Sequence, residues 1–213
     1  MAVDSSLLRG KTPEQKKVIK YFLDTGCLAE LTRMKDEEYE QMVMSKLNSL
    51  NLKQKALGKI GLDEDQVKEI APVFINGYNF YDDEALVRIG NDDRVRSSKY
   101  DGAWLLFSDS HVYVYIYTLD MASDGKRETT EEYYYKDVTN LSTTSESKEV
   151  IKLSLLKTLL GIGSDTKMVH NYDTFTITVP GDKFRCSMTA MEKTTAERSV
   201  NAMKQKLREK KQQ

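Results

Sequence analysis

The chain has 213 residues, with 32 Lys plus Arg against 33 Asp plus Glu and a formal net charge of −1. That length gives one or two domains with a real core, and the charge balance argues against a protein whose main task is coating nucleic acid. Apolar residues at 39% and charged residues at 31% suit a globular chain with a charged surface, while 3 Pro and 11 Gly exclude collagen-like or low-complexity chains.

Residues 12 to 75 read as a helical unit. Thr12-Pro13-Glu14-Gln15 combines an N-cap hydroxyl, Pro at the first helical position and Gln at N3. Val18, Ile19, Phe22 and Leu23 follow at helical spacing, and Gly26 supplies a left-handed stop. A second helix is expected over Asp36–Leu50, with Tyr39, Met42 or Val43, Leu47 and Leu50 on its buried stripe. A third is expected over Leu52–Ile60, closed by Gly61. Asp63-Glu64-Asp65-Gln66 opens a fourth, short helix running through Val67 and Ile70 and stopped before Pro72.

After Pro72 the period changes to two, and Tyr, Val, Thr and Phe become frequent. Strands are expected at Leu86–Ile89, Arg94–Tyr100, Ala103–Phe107, His111–Leu119, Glu131–Tyr135, Val138–Thr143, Thr174–Val179 and Lys183–Met188. Turn residues separate them, among them Gly90-Asn91-Asp92-Asp93, Asp101-Gly102 and Pro180-Gly181-Asp182. Lys148–Leu160 fits either a short helix or a strand, and Gly161–Asp165 reads as a loop. The chain closes with a capping box, Thr194-Thr195-Ala196-Glu197, and a narrow stripe of Ala196, Val200, Met203 and Leu207. A basic segment, Lys204 to Gln213, follows it.

Trp104–Val114, an apolar strand, a polar turn and a resumed apolar strand, resembles the third-and-fourth-strand hairpin of bacterial pleckstrin-homology-like (PH-like) and GRAM-type domains. Tyr134–Leu141 is similar to their next element, and the closing helix falls in the expected place. The resemblance covers residues 78 to 210 and implies an antiparallel β-barrel plugged by the terminal helix. The fold class expected is therefore α+β: a helical N-terminal unit (1–75) followed by a PH-like barrel with a C-terminal amphipathic helix (76–213).

Val112-Tyr113-Val114-Tyr115-Ile116-Tyr117 carries a β-branched face and a tyrosine face, with no charged residue on either. Both faces need cover. The first should enter the core. The second should lie under the N-terminal helices, or else form an interaction face of Tyr113, Tyr115 and Tyr117 for a second subunit.

Catalytic signals are absent from the pattern. His111 stands beside a Ser-Asp-Ser turn, but neighbours on one strand do not converge as a triad does. His170 is the only other histidine. The pairs Asp82-Asp83-Glu84, Asp92-Asp93 and Glu131-Glu132 read as solvated turns and strands. Gly161-Ile162-Gly163-Ser164 lacks the residues of a phosphate loop. No enzyme activity, cofactor or metal is expected.

One constellation points to an anion. Arg88, Arg94 and Arg96 flank the first hairpin in the basic, loop, basic-x-basic order that lipid-binding PH domains use to bracket phosphates. Asp92 and Asp93 in the intervening loop oppose that reading.

No run of about 18 apolar residues is present, so no transmembrane segment is expected. Met1–Gly10 lacks a positive region followed by an apolar one, so no secretory signal is expected. Cys27 and Cys186 match no metal or redox spacing, and a cytoplasmic location is expected. The function expected is a non-catalytic binding module for a protein partner or for itself, with no nucleic-acid partner. The alternative is peripheral binding of anionic lipid headgroups.

Overall fold

The computed structural model describes residues 3–24, 32–67, 70–152 and 166–188, with Asn201, Ala202, Lys204, Gln205, Arg208 and Glu209 beyond them. Helices come first. A short α1 (Ser5–Leu8) precedes α2 (Pro13–Leu23), which starts on the foreseen box: the Gln15 amide donates to Thr12 Oγ1 at 3.2 Å, and the Thr12 amide donates to Gln15 Oε1 at 2.9 Å. Helix α3 (Asp36–Ser49) buries Tyr39, Val43 and Leu47, and α4 (Leu52–Ile60) ends on left-handed Gly61. The fourth expected helix is only a 3-10 turn, Glu64–Val67, because Ile70 already belongs to a strand.

That strand, β1 (Ile70–Tyr78), pairs with β4 (Lys99–Phe107). Then β4 pairs with β5 (His111–Asp120), and β5 with β6 (Lys126–Tyr134). This four-stranded antiparallel sheet has the order β1-β4-β5-β6. Pro72 does not terminate a helix; it lies at the bulge of edge strand β1, where a missing N–H is tolerated. The expected unit boundary at residue 75 therefore falls inside β1. A small hairpin, β2 (Val87–Ile89) with β3 (Val95–Ser97), stands apart. A third sheet has the order β7 (Asn140–Lys152), β8 (Thr166–Val179), β9 (Asp182–Met188). The ambiguous segment is strand as far as Lys152; its remainder lies outside the described residues, as do Gly26, Cys27 and the Gly161–Asp165 loop.

The expected barrel is not formed. After β6 the chain makes a 3-10 turn at Tyr135–Asp137, and β7 pairs with β8 rather than continuing the first sheet. Among the described residues, three separate antiparallel sheets result. No plug is seen either: β9 is the last strand among the described residues, and of those beyond it Asn201, Ala202, Lys204, Gln205, Arg208 and Glu209 are helical. Ala196, Val200, Met203 and Leu207 lie outside the described residues. Beyond β9, Asn201, Ala202, Gln205, Arg208 and Glu209 are exposed.

The central sheet is instead covered by two different layers. Val112, Val114 and Ile116 of β5 join Leu105, Phe107, Phe175, Ile177 and Phe184 in a core between the two larger sheets. Tyr115 and Tyr117, on the opposite face, join Val18, Tyr39, Val43, Leu52 and Ala56 of the helices. One glycine on each face sets the approach. A Cβ on Gly77 would lie 2.9 Å from the Ser187 and Met188 backbone, and one on Gly102 would lie 2.9 Å from the Leu47 and Leu52 side chains. No helix among the described residues is long and apolar enough to cross a membrane.

Candidate functional site

The three arginines of the first hairpin do not converge. Arg88 and Arg96 are cross-strand partners, but each turns to a helix. The Arg88 guanidinium lies 5.2 Å above the Tyr21 ring and donates to the Tyr21 carbonyl at 3.2 Å. Arg96 is 1% exposed and clamps two elements: Nη2 meets Glu40 of α3 at 2.6 Å and Asp92 of the hairpin loop at 2.7 Å. Its Nη1 donates to the second Asp92 oxygen at 2.8 Å. Asp36, 4.0 Å from Arg96, accepts from the Tyr21 hydroxyl and from the Asn91 amide, both at 2.7 Å. Arg94 is 75% exposed and nearest to Asp92 at 3.8 Å.

Where an open phosphate bracket was expected, Arg96 forms a clamp between α3 and the hairpin loop. Three carboxylates surround Arg96, which leaves no net positive field for an anion. The hydrogen bond from Arg96 holds the Asp92 carboxyl down at about 2.

The expected interaction face divides in the middle. Tyr115 is fully buried, and its hydroxyl donates to Glu128 Oε1 at 3.2 Å, which Lys59 of α4 holds from the other side at 3.6 Å. Burial, and then the Glu128 carboxylate, push the Tyr115 hydroxyl above the usual phenol range. Tyr117 is buried with Lys55 of α4 lying 5.1 Å from its ring centre. These two tyrosines are covered by the chain itself. Tyr113 is only half-buried.

Helix α4 is short beside this stripe. Its nine residues span about 13 Å, whereas the stripe from His111 to Tyr117 runs about 20 Å. The uncovered end gathers aromatic rings. His111 lies 3.9 Å from Tyr134, its cross-strand partner, and 5.7 Å from Tyr113, centre to centre. Ser110 Oγ is 2.7 Å from His111 Nδ1, and Glu132 lies 3.4 Å from His111 Nε2. Lys136 Nζ lies 5.1 Å from the centre of the Tyr134 ring, which stays 49% exposed.

His111 and Tyr134 did not figure in the expected face. The signal that finds them is the β5–β6 register, which sets His111 opposite Tyr134. Beside this cluster, β6 forms the outer edge of the sheet, with no strand paired on its far side among the described residues.

Asp82 and Glu84 pair with Lys99 at 2.8 and 3.3 Å. The expected turn at Asp101-Gly102 is mid-strand in β4, and Asp101 is fully buried. It accepts from Thr118 Oγ1 at 2.7 Å, from Asn79 at 3.1 Å, and from the Tyr81 hydroxyl. Burial raises its carboxyl pKa, and these donors oppose the rise. His170 packs on Phe80 at 4.8 Å, and burial lowers its pKa. Among the described residues, no group of three or more His, Cys, Asp and Glu could hold a metal ion.

Comparison with protein-family models, curated proteins and solved structures finds no match to this chain.

Proposed function

We propose that this chain is a non-catalytic protein-binding module that docks through the open end of the β5–β6 hairpin. The observation that carries this reading is the ring pair of His111 and Tyr134, with half-buried Tyr113 beside it at the margin of the helical layer, next to a sheet edge unpaired among the described residues. Aromatic rings with a polar rim (here Glu132 and Lys136) are the composition of protein-binding hot spots. The wide separation of Cys27 and Cys186 fits a reducing, cytoplasmic setting. Headgroup binding by the first hairpin draws no support from an Arg96 enclosed by Glu40 and Asp92.

A photo-crosslinking residue placed at Tyr134 tests the reading in cells. Discrete adducts are expected, and His111→Ala with Tyr113→Ala should abolish them. Absence of any adduct at Tyr134, or adducts indifferent to those two substitutions, overturns it.

A further inference from the structure

The outer edge of β6 has a charge order that fits itself. Along it run Lys126, Arg127, Glu128, Thr129, Thr130, Glu131 and Glu132. The Gly125 carbonyl accepts from the Asp120 amide, and the Tyr135 amide donates to Ser110, so the odd-numbered residues of this strand bond inward to β5. Lys126, Glu128, Thr130 and Glu132 consequently direct their backbone N–H and C=O groups outward. Resting on the binding-module reading above, we propose that a second copy of this chain pairs antiparallel along β6, joining two four-stranded sheets into one of eight.

Symmetry restricts the register. A two-fold axis through the seam keeps each side chain on its own face, so only residues of like parity oppose one another. Centring on Glu128 or Glu131 sets a carboxylate against its own copy, and centring on Thr130 opposes Glu128 to Glu132 twice. Centring on Thr129 opposes Lys126 to Glu132 and Arg127 to Glu131, each twice, with Glu128 facing Thr130 and Thr129 facing itself. Opposite charges and Thr–Thr pairs are the favoured cross-strand combinations.

The surroundings agree with that register. Glu128, already held by Lys59 and Tyr115, meets an uncharged residue. Glu131, whose pKa burial and then Asp182 raise, receives a guanidinium. Among the described residues, Lys126, Arg127 and Glu131 form no close ion pair within the chain; Glu132 has the His111 ring at 3.4 Å, and Arg127 acts on Asp82 and Asp101 only through space. The two β5 strands stand about 14 Å apart across the seam, wider than the 8–10 Å of packed helices, so both α4 helices fit. Charged edges ordinarily keep strands apart, and here like charges do so in the other central registers.

Light scattering on the purified 213-residue chain should show the mass rising with concentration from 24.4 kDa toward twice that value, with loss of the dimer at high salt. Thr130→Pro removes an outward N–H and leaves the ladder to β5 intact, so it should abolish the rise while circular dichroism stays unchanged. Lys126→Glu with Arg127→Glu, and separately Glu131→Lys with Glu132→Lys, should each be monomeric, and an equimolar mixture should regain the dimer. A wild type that stays at 24.4 kDa at its highest soluble concentration overturns the proposal, as does a dimer indifferent to these substitutions. A monomer whose Tyr134 probe still crosslinks another protein sinks the dimer alone; a monomer without adducts sinks both readings.

Discussion

The two faces of β5 divide one run of six residues, three to each, yet are covered by different means. On the valine face, a second sheet follows the first along its length, and Val112, Val114 and Ile116 are all buried. On the tyrosine face, helices do the covering, and a nine-residue helix stops short. Tyr115 and Tyr117 are sealed, whereas Tyr113 is half-buried and leads out to His111 and Tyr134. A packed sheet offers a broad layer, but a helix covers only its own length. Tyrosine suits the uneven layer because its hydroxyl can be satisfied by Glu128 inside or by water at the rim.

Breaking the covered half should cost most. Tyr115→Ala empties a fully buried ring site under α4, and a loss of about 4 kcal/mol is expected in urea unfolding. Gly77→Ala attacks the other face. Its Cβ would sit 2.9 Å from the Ser187 and Met188 backbone, which cannot swing aside as a flexible side chain could. A loss of about 2–3 kcal/mol is expected, and equal stability of the variant would show that β9 does not pack on β1 as described.

Much of this division was legible in the sequence, since local signals dominate it. The Thr12 box and the Gly61 stop are readable because each cap is a contact among near neighbours. The alternation Val-Tyr-Val-Tyr-Ile-Tyr announces two faces needing cover. What failed depends on distant partners. Asp101-Gly102 has turn composition, yet Thr118, Asn79 and Tyr81 supply the hydrogen bonds that let Asp101 sit inside a strand. Whether β6 is followed by another strand of the same sheet or by a new sheet is decided by β8, about forty residues on, and no local pattern records that choice. Arg96 shows the limit for sites. Strand alternation would put it on one face with Arg94, yet Arg94 precedes β3 and is 75% exposed, and Arg96 alone is drawn in against Glu40 of α3.

The clamp at Arg96 sharpens the comparison through pH. Asp92 has its carboxyl held at about 2, below the ordinary 3.8, so its contribution to stability is complete above about pH 4. That contribution is lost as pH falls through about 2. Its side chain is 35% exposed, and solvent screening reduces the effect to about 1 kcal/mol. Unfolding midpoints measured between pH 5 and 2 should show this acid limb, and Asp92→Asn should flatten it. A limb of equal size in the variant would place the acid sensitivity elsewhere.

Tyr134→Ala tests the open half and should be nearly silent in stability. The ring is 49% exposed, and its partners His111 and Lys136 both have water available, so a change within about 0.5 kcal/mol is expected. Set against about 4 kcal/mol for Tyr115, two residues from the Tyr113 that shares this cluster, the contrast isolates rings that hold the fold from rings that do not. A loss near that of Tyr115 would mean that the end of the stripe is also part of the core, and the docking surface would then have to be sought along the β6 edge alone.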